Sequence, residues 1–263
     1  MKLLNVRIMI RFIVILAFIQ FFNPVYSQVN TEKFRKEFKE SGFYGNVSLA
    51  AGLAKGNSEF VKVKSSARID YAGKIFDSFL VGNYEFQEAK NAKVVNKGFA
   101  HLRNIIALSP VFSLELFLQK EFNQFILLED RNLAGAGLRT GIIELFAEPE
   151  DSSLEIYLGT GLLFENEQYD ISASPETNLI RSTNYLTLKW IINDIVSFIS
   201  INYFQFDVEK IHDYRLISDT GLNFLITKNL SFNSSVSYRY DNEPVPDVKN
   251  YDLELTNGIT FSF

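Results

Sequence analysis

From residue 43 to the end of the chain, apolar and polar side chains alternate with period two. Phe43, Gly45, Val47, Leu49, Ala51 and Leu53 interleave with Tyr44, Asn46, Ser48, Ala50 and Gly52. Val61, Val63, Ala67, Ile69 and Tyr71 interleave with Lys62, Lys64, Ser66, Arg68 and Asp70. A repeat of 180° per residue describes a strand with one apolar and one polar face. The pattern predicts strands near 43–54, 58–72, 75–88, 94–108, 111–124, 127–146, 152–167, 179–192, 195–208, 212–226, 229–241 and 248–263. In 195–208 the faces do not separate, because Val196, Phe198, Ile199 and Ile201 fall on both parities. No stretch beyond residue 42 carries a convincing helical period.

The predicted connections alternate in length. Ala72-Gly73-Lys74, Ser109-Pro110, Asn193-Asp194 and Thr227-Lys228-Asn229 are tight turns, and Glu148 to Asp151 is slightly longer. Gly and Asn tolerate positive φ and Pro presets φ, so these residues suit turns. Glu88–Lys93, Gln168–Asn178, Val208–Asp213 and Asp241–Lys249 read as longer loops. Short turns at one end and longer loops at the other are the habit of an outer-membrane barrel.

Soluble sheets also alternate, so the membrane reading needs more. The 221 residues from Phe43 to Phe263 give about 18 per strand and connection, which suits spanning strands of roughly 9–11 residues with extensions. No helix is available to cover an apolar face. The polar face is charged along its middle, at Lys62, Lys64, Arg68, Asp70, Glu85, His101, Arg103, Glu115, Arg139, Glu155, Lys189, Arg215, Asp219, Arg239 and Glu254. Those groups need water or one another, and a lumen offers both. The expectation is an all-β, up-and-down antiparallel transmembrane barrel of about twelve strands, closed so that no strand edge meets lipid.

Two ends of the sequence add an address. Lys2, Arg7 and Arg11 precede an apolar run from Phe12, Pro24 breaks it, and Val25-Tyr26-Ser27 suits cleavage, so 1–27 reads as a signal peptide. Residues 28–42 would then form a short periplasmic segment and 43–263 the barrel, in the outer membrane of a Gram-negative bacterium. Without 1–27 the chain holds 23 Lys and Arg against 31 Asp and Glu, an acidic balance that argues against a nucleic-acid partner. The absence of Cys excludes disulfides and thiolate chemistry. The last strand places Tyr251, Leu253, Leu255, Ile259, Phe261 and Phe263 on one face. It resembles the C-terminal strand by which the barrel-assembly machinery reads outer-membrane proteins. Tyr71, Tyr84, Phe86, Phe164, Trp190, Tyr203, Tyr214, Tyr238, Tyr240 and Tyr251 lie toward strand ends, where an aromatic girdle would meet headgroups.

Particular residues resemble a family. Leu49 to Ser58 reads as an alternating strand closed by Gly56-Asn57. Glu121-Phe122-Asn123-Gln124-Phe125, with Leu128, Arg131, Gly135, Gly137, Leu138 and Arg139, reads like the middle of the same family. This is the uncharacterised, salt-stress-induced outer-membrane protein family known as domain of unknown function 481, and the resemblance covers roughly 41–263. It implies an outer-membrane β-barrel. It implies no activity and no catalytic residues.

The chemistry is sparse. A barrel lipase would set a Ser and a His on neighbouring outward positions, but His101 reads inward, as a lumen histidine paired with a carboxylate. His212 starts a strand near a loop. No converging ligand set suggests a metal, and nothing asks for a cofactor. Arg131 and Arg139 share a face, and Arg68, Arg103, Arg139, Arg215 and Arg239 can project into one lumen. They form either an anion-selecting ladder or, with Glu85, Glu115, Glu121, Glu155 and Asp219, ion pairs that fill a narrow interior. Gly135, Gly137 and Gly141 suit a bend or the close approach of a side chain, not a nucleotide loop. Residues 31–40 form either a short amphipathic helix at the periplasmic mouth or a disordered leader. The expected protein is monomeric, touches membrane lipid and has no enzymatic activity. It is a passive channel for ions or small solutes, or else an occluded structural barrel of the envelope-stress kind.

Overall fold

The computed structural model describes residues 29–56, 59–90, 92–146, 153–171 and 176–261. The expected signal peptide, Asn57 of the first turn and Phe263 lie outside these residues. Twelve strands form one antiparallel sheet in sequence order. They are β1 Gly42–Ala54, β2 Phe60–Ala72, β3 Phe76–Ala89, β4 Ala92–Ala107, β5 Phe112–Asn123, β6 Leu128–Gly141, β7 Leu154–Tyr169, β8 Thr177–Ile191, β9 Val196–Asp207, β10 Tyr214–Thr227, β11 Leu230–Asp241 and β12 Tyr251–Phe261. This is the expected up-and-down barrel fold. It has a seam: β1 and β12 are the two edges of the sheet and are not paired with each other. The expectation of a closed cylinder is therefore corrected at this one joint. Both faces of β1 are exposed as a result.

The start of β1 and the end of β12 lie at the same end, where the turns are held by their own side chains. Asn193 Oδ1 accepts from the amides of Ile195 and Val196, each at 2.9 Å, and Ser109 Oγ accepts from Phe112 N at 3.0 Å. Asp and Asn fix turns by such bonds, and Ser does so more weakly. Two expected connections differ. Glu88–Lys93 is not a long loop: β3 runs to Ala89 and β4 starts at Ala92, with Lys90 at φ 49°. Positive φ in a two-residue connection matches the right-handed twist of a hairpin. The strand expected over 127–146 stops at Gly141, and a single helical turn, α1, follows over Ile142–Phe146. The period-two pattern fails there because Ile142 and Ile143 are adjacent apolar residues.

The outer face carries Leu49, Ile69, Leu80, Leu118, Leu162, Phe164, Ile180 and Leu253, all exposed. It also carries polar groups at mid-height, bonded among themselves. Thr160 Oγ1 donates to Asn184 Oδ1 at 2.8 Å, and Ser218 Oγ donates to Asn202 Oδ1 at 2.7 Å. Pairing removes much of the cost of placing such groups in an apolar medium. Aromatic clusters sit at both ends. Phe43, Tyr71 and Phe76 pack in series as tilted rings near the start of β1, and Phe204, Tyr214 and Tyr240 do so at the far end. Tyr203, expected in the girdle, instead faces inward. It packs with Tyr185, Ile201 and Ile217 in a buried cluster. That cluster explains the mixed parity of β9, whose inner face is itself partly apolar.

Candidate functional site: the occluded lumen

Each inward position alternates with an outward one, so register decides what enters the lumen. Pairing carries one inner face across the sheet: Arg68 opposes Val81, Val81 opposes His101 and His101 opposes Gln119. All fifteen charged or titratable positions proposed from the sequence share this inward register. The structure ties most of them into pairs. Arg68 grips Asp70 through two nitrogens, at 2.7 and 2.5 Å. Arg239 donates from one nitrogen, Nη2, to both oxygens of Asp219, at 2.9 and 2.8 Å. Lys64 meets Glu85 at 2.6 Å and Lys189 meets Glu155 at 2.9 Å. Glu254 accepts from Thr256 at 3.1 Å. Lys62 has no carboxylate within 4 Å among the described residues.

At the centre stands a group that strand patterns do not reveal. Residues 29–41 enter the lumen, and Glu32–Phe34 forms a 3-10 turn with Asn30, Thr31 and Glu32 buried. The Glu32 carboxylate receives Arg35 Nε at 2.9 Å, Arg103 at 3.1 Å and Arg139 at 3.4 Å. Thr31 Oγ1 accepts from Arg103 at 2.5 Å, and Arg35 pairs with Glu115. Tyr185 of β8 donates across the lumen to Glu115 of β5 at 3.2 Å. Burial alone would raise the Glu32 pKa, but Arg35, Arg139 and Arg103 outweigh it and hold the carboxyl below its ordinary 4.5. Phe34 fills the gap beside Phe79, Val81 and Ile105. The amphipathic helix expected as one reading of 31–40 does not form: only Glu32–Phe34 turns, as a 3-10 helix, and it sits inside the lumen rather than at its mouth.

A second cluster closes the region beyond. Arg131 bridges Glu121 and Glu167, while Arg215 reaches Glu165 at 2.7 Å, Glu167 at 3.0 Å and Asp241 at 2.9 Å. Arg181 joins Glu165 at 3.1 Å and Asp213 at 2.8 Å. Above these charges, Ile126, Leu128 and Tyr169 pack with Val245 and Val248 from the loop between β11 and β12. Arg181, Glu165 and Glu167 were not proposed as lumen residues from the sequence, and 31–40 was singled out as a segment without its ion pairs. Inward parity was the signal available for the first three. Glycine makes room for bulk: a Cβ at Gly135 would lie 2.3 Å from the Phe117 ring, and one at Gly159 would lie 2.0 Å from Tyr185. Gly135 thus serves the close approach expected of it.

His101 is buried between Phe79 and Phe117, each ring centroid 5.9 Å away. Its expected carboxylate is replaced by an amide. Nδ1 lies 3.0 Å from Gln119 Oε1, and Gln119 Nε2 donates to Glu121 at 2.7 Å. His212 lies in the connection before β10, where its carbonyl accepts from Asn242 at 2.7 Å. Among the described residues, no three His, Asp or Glu gather as a metal site.

An up-and-down sheet of twelve strands around a charged, internally paired interior defines a β-barrel protein. The chain belongs to the family described as protein of unknown function, DUF481, whose model matches residues 47–263. The solved NanC porin is similar at 8% identity and TM-score 0.49, over 84% of this chain and 98% of that one. The KdgM porin matches at 12% identity and TM-score 0.37, over 84% and 98%. A Pseudomonas aeruginosa FadL homologue matches at 8% and 0.36, over 82% and 71%. No curated protein matches. Likenesses this distant leave function to be argued from the lumen itself.

Proposed function

We propose that the protein is an outer-membrane barrel that passes ions or small solutes and is held shut at rest by its own N-terminal segment. The outward belt of exposed Leu, Ile and Phe suits hydrocarbon, and the enclosed charges suit a water-filled or self-paired lumen. The observation that carries the closed state is the insertion of Glu32 among Arg35, Arg103 and Arg139. A plug held by ion pairs on a separate chain segment can leave without breaking the wall. Export by the N-terminal signal and insertion through the outward face of β12 belong to this proposal, as does a monomeric barrel. Catalysis does not, since His101 is confined by two rings and an amide.

A permanently occluded structural barrel is the competing reading. It is favoured by the Arg131–Glu167–Arg215 cluster and by a central cavity of only about 50 Å³. Planar-bilayer recording separates the two. A silent full-length protein whose Glu32→Ala/Arg35→Ala variant shows stable current steps supports the plugged channel. Silence in both supports the structural barrel.

A further inference from the structure

The arginines that could have formed an anion-selecting ladder are consumed by carboxylates. Among the described lumen residues, Lys33 and Lys62 are cations with no carboxylate within 4 Å. Beside the plug, toward the end where β1 stops and β2 begins, lies a cavity of about 490 Å³ against β1 to β5 and β11. Lys33, Lys64, Lys97 and Arg239 line it, with Glu85 and Glu121 as the only acids among its described lining residues. The two acids are already engaged. Glu121 pairs with Arg131, and Glu85 is shared by Lys64 at 2.6 Å and Lys97 at 3.8 Å. Arg239 is occupied by Asp219 at 2.8 Å.

Lys33 stands on the plug itself. Its ammonium has no carboxylate within 4 Å among the described residues, and it lies 5.4 Å from the centre of the Phe34 ring. It is surrounded by protein yet open to solvent, because it faces this cavity. Enclosure by the wall and the nearby Arg239 guanidinium hold it below its ordinary 10.5, against the pull of Asp219. An anion beside it would relieve that strain, and a low-dielectric wall strengthens the attraction.

We propose that this cavity is a binding site for a small solute carrying a carboxylate or phosphate group, held by Lys33 on the plug and Lys97 and Lys64 on the wall. The size admits a molecule of about drug-fragment dimensions or larger. Ammonium groups on flexible stems suit an oxyanion as point charges, without demanding bidentate geometry. The proposal rests on the lumen geometry and not on transport, so a barrel that conducts nothing would still bind.

The test is calorimetric titration of the folded, full-length protein in detergent at low salt with inorganic phosphate, citrate and, as a neutral control, glycerol. Saturable binding of citrate or phosphate is expected, with none for glycerol. Whether citrate or phosphate binds more tightly assigns the group preferred. Lys33→Gln should weaken the binding about tenfold or more, and Lys33→Arg should retain most of it. The Lys33 variants lie outside the strands, so the wall stays intact. Lys120→Gln, on the outer rim, should change nothing. Absence of saturable anion binding, equal binding of glycerol, or an unchanged affinity in Lys33→Gln overturns the proposal. Silent bilayers with binding intact would instead remove the channel reading and leave the site standing.

Discussion

Glu32 and Arg103 lie 71 positions apart and meet at 3.1 Å inside the lumen. The contact joins a segment with no strand character to the middle of β4, and it is how the plug is tied to the wall. Arg103 also reaches Glu115 at 3.2 Å. Replacing Arg103 with Met therefore leaves two buried carboxylates short of a partner, with an expected loss of about 3–5 kcal/mol. Glu32→Gln combined with Arg103→Met should cost less than the two separately, by about 1–3 kcal/mol. Urea unfolding of the barrel measures both, and strict additivity would show that the pair does not interact.

Acid should loosen the plug. The Glu32 carboxyl is held below its ordinary 4.5, so its ionised form stabilises the folded state above that value. The contribution is lost as pH falls through the lowered pKa. Residues 29–41 should therefore resist protease at pH 6 and become cleavable well below pH 4.5, and Glu32→Gln should remove this pH dependence. Equal protection across the range would mean that Glu32 does not hold the segment.

The outer belt can be probed at two depths. Leu162 is exposed at the middle of β7, and Leu216 is exposed near the start of β10. In a bilayer, Leu162→Arg should cost about 2–4 kcal/mol and Leu216→Arg about 0–1. Equilibrium unfolding from lipid vesicles gives the two values. Small, equal costs would contradict a hydrocarbon surrounding.

The seam between β1 and β12 should close in the membrane, since unpaired edges in lipid are costly. Residues facing the lumen are even-numbered on both strands, as the pairs Asn46–Arg68 and Arg239–Asp252 show. A Cys at Ser48 should then form a disulfide with a Cys at one even position of β12, in a scan from 252 to 260. No cross-link at any of them would establish an open sheet.

Much of the fold was legible because a strand's side chains alternate strictly. Arg68, Arg103, Arg215 and Arg239 could be assigned to one face from parity alone. Parity misled only where a face carried mixed chemistry, as in β9 with Ile201 and Tyr203, or where a turn replaced a strand, as at Ile142. The plug was legible only as two alternatives, since residues 31–40 carry no period long enough to choose between order and disorder.

By itself, the sequence determined an all-β chain of about twelve strands and the inward face of most of them, because backbone geometry ties facing to position along the chain. Only the tertiary structure decided who meets whom: that Glu32 rather than a wall residue sits among three arginines, that His101 finds an amide, and that Lys33 is left without a carboxylate. Those contacts cross the lumen between distant segments, and the curl of the sheet, not local pattern, sets their distances.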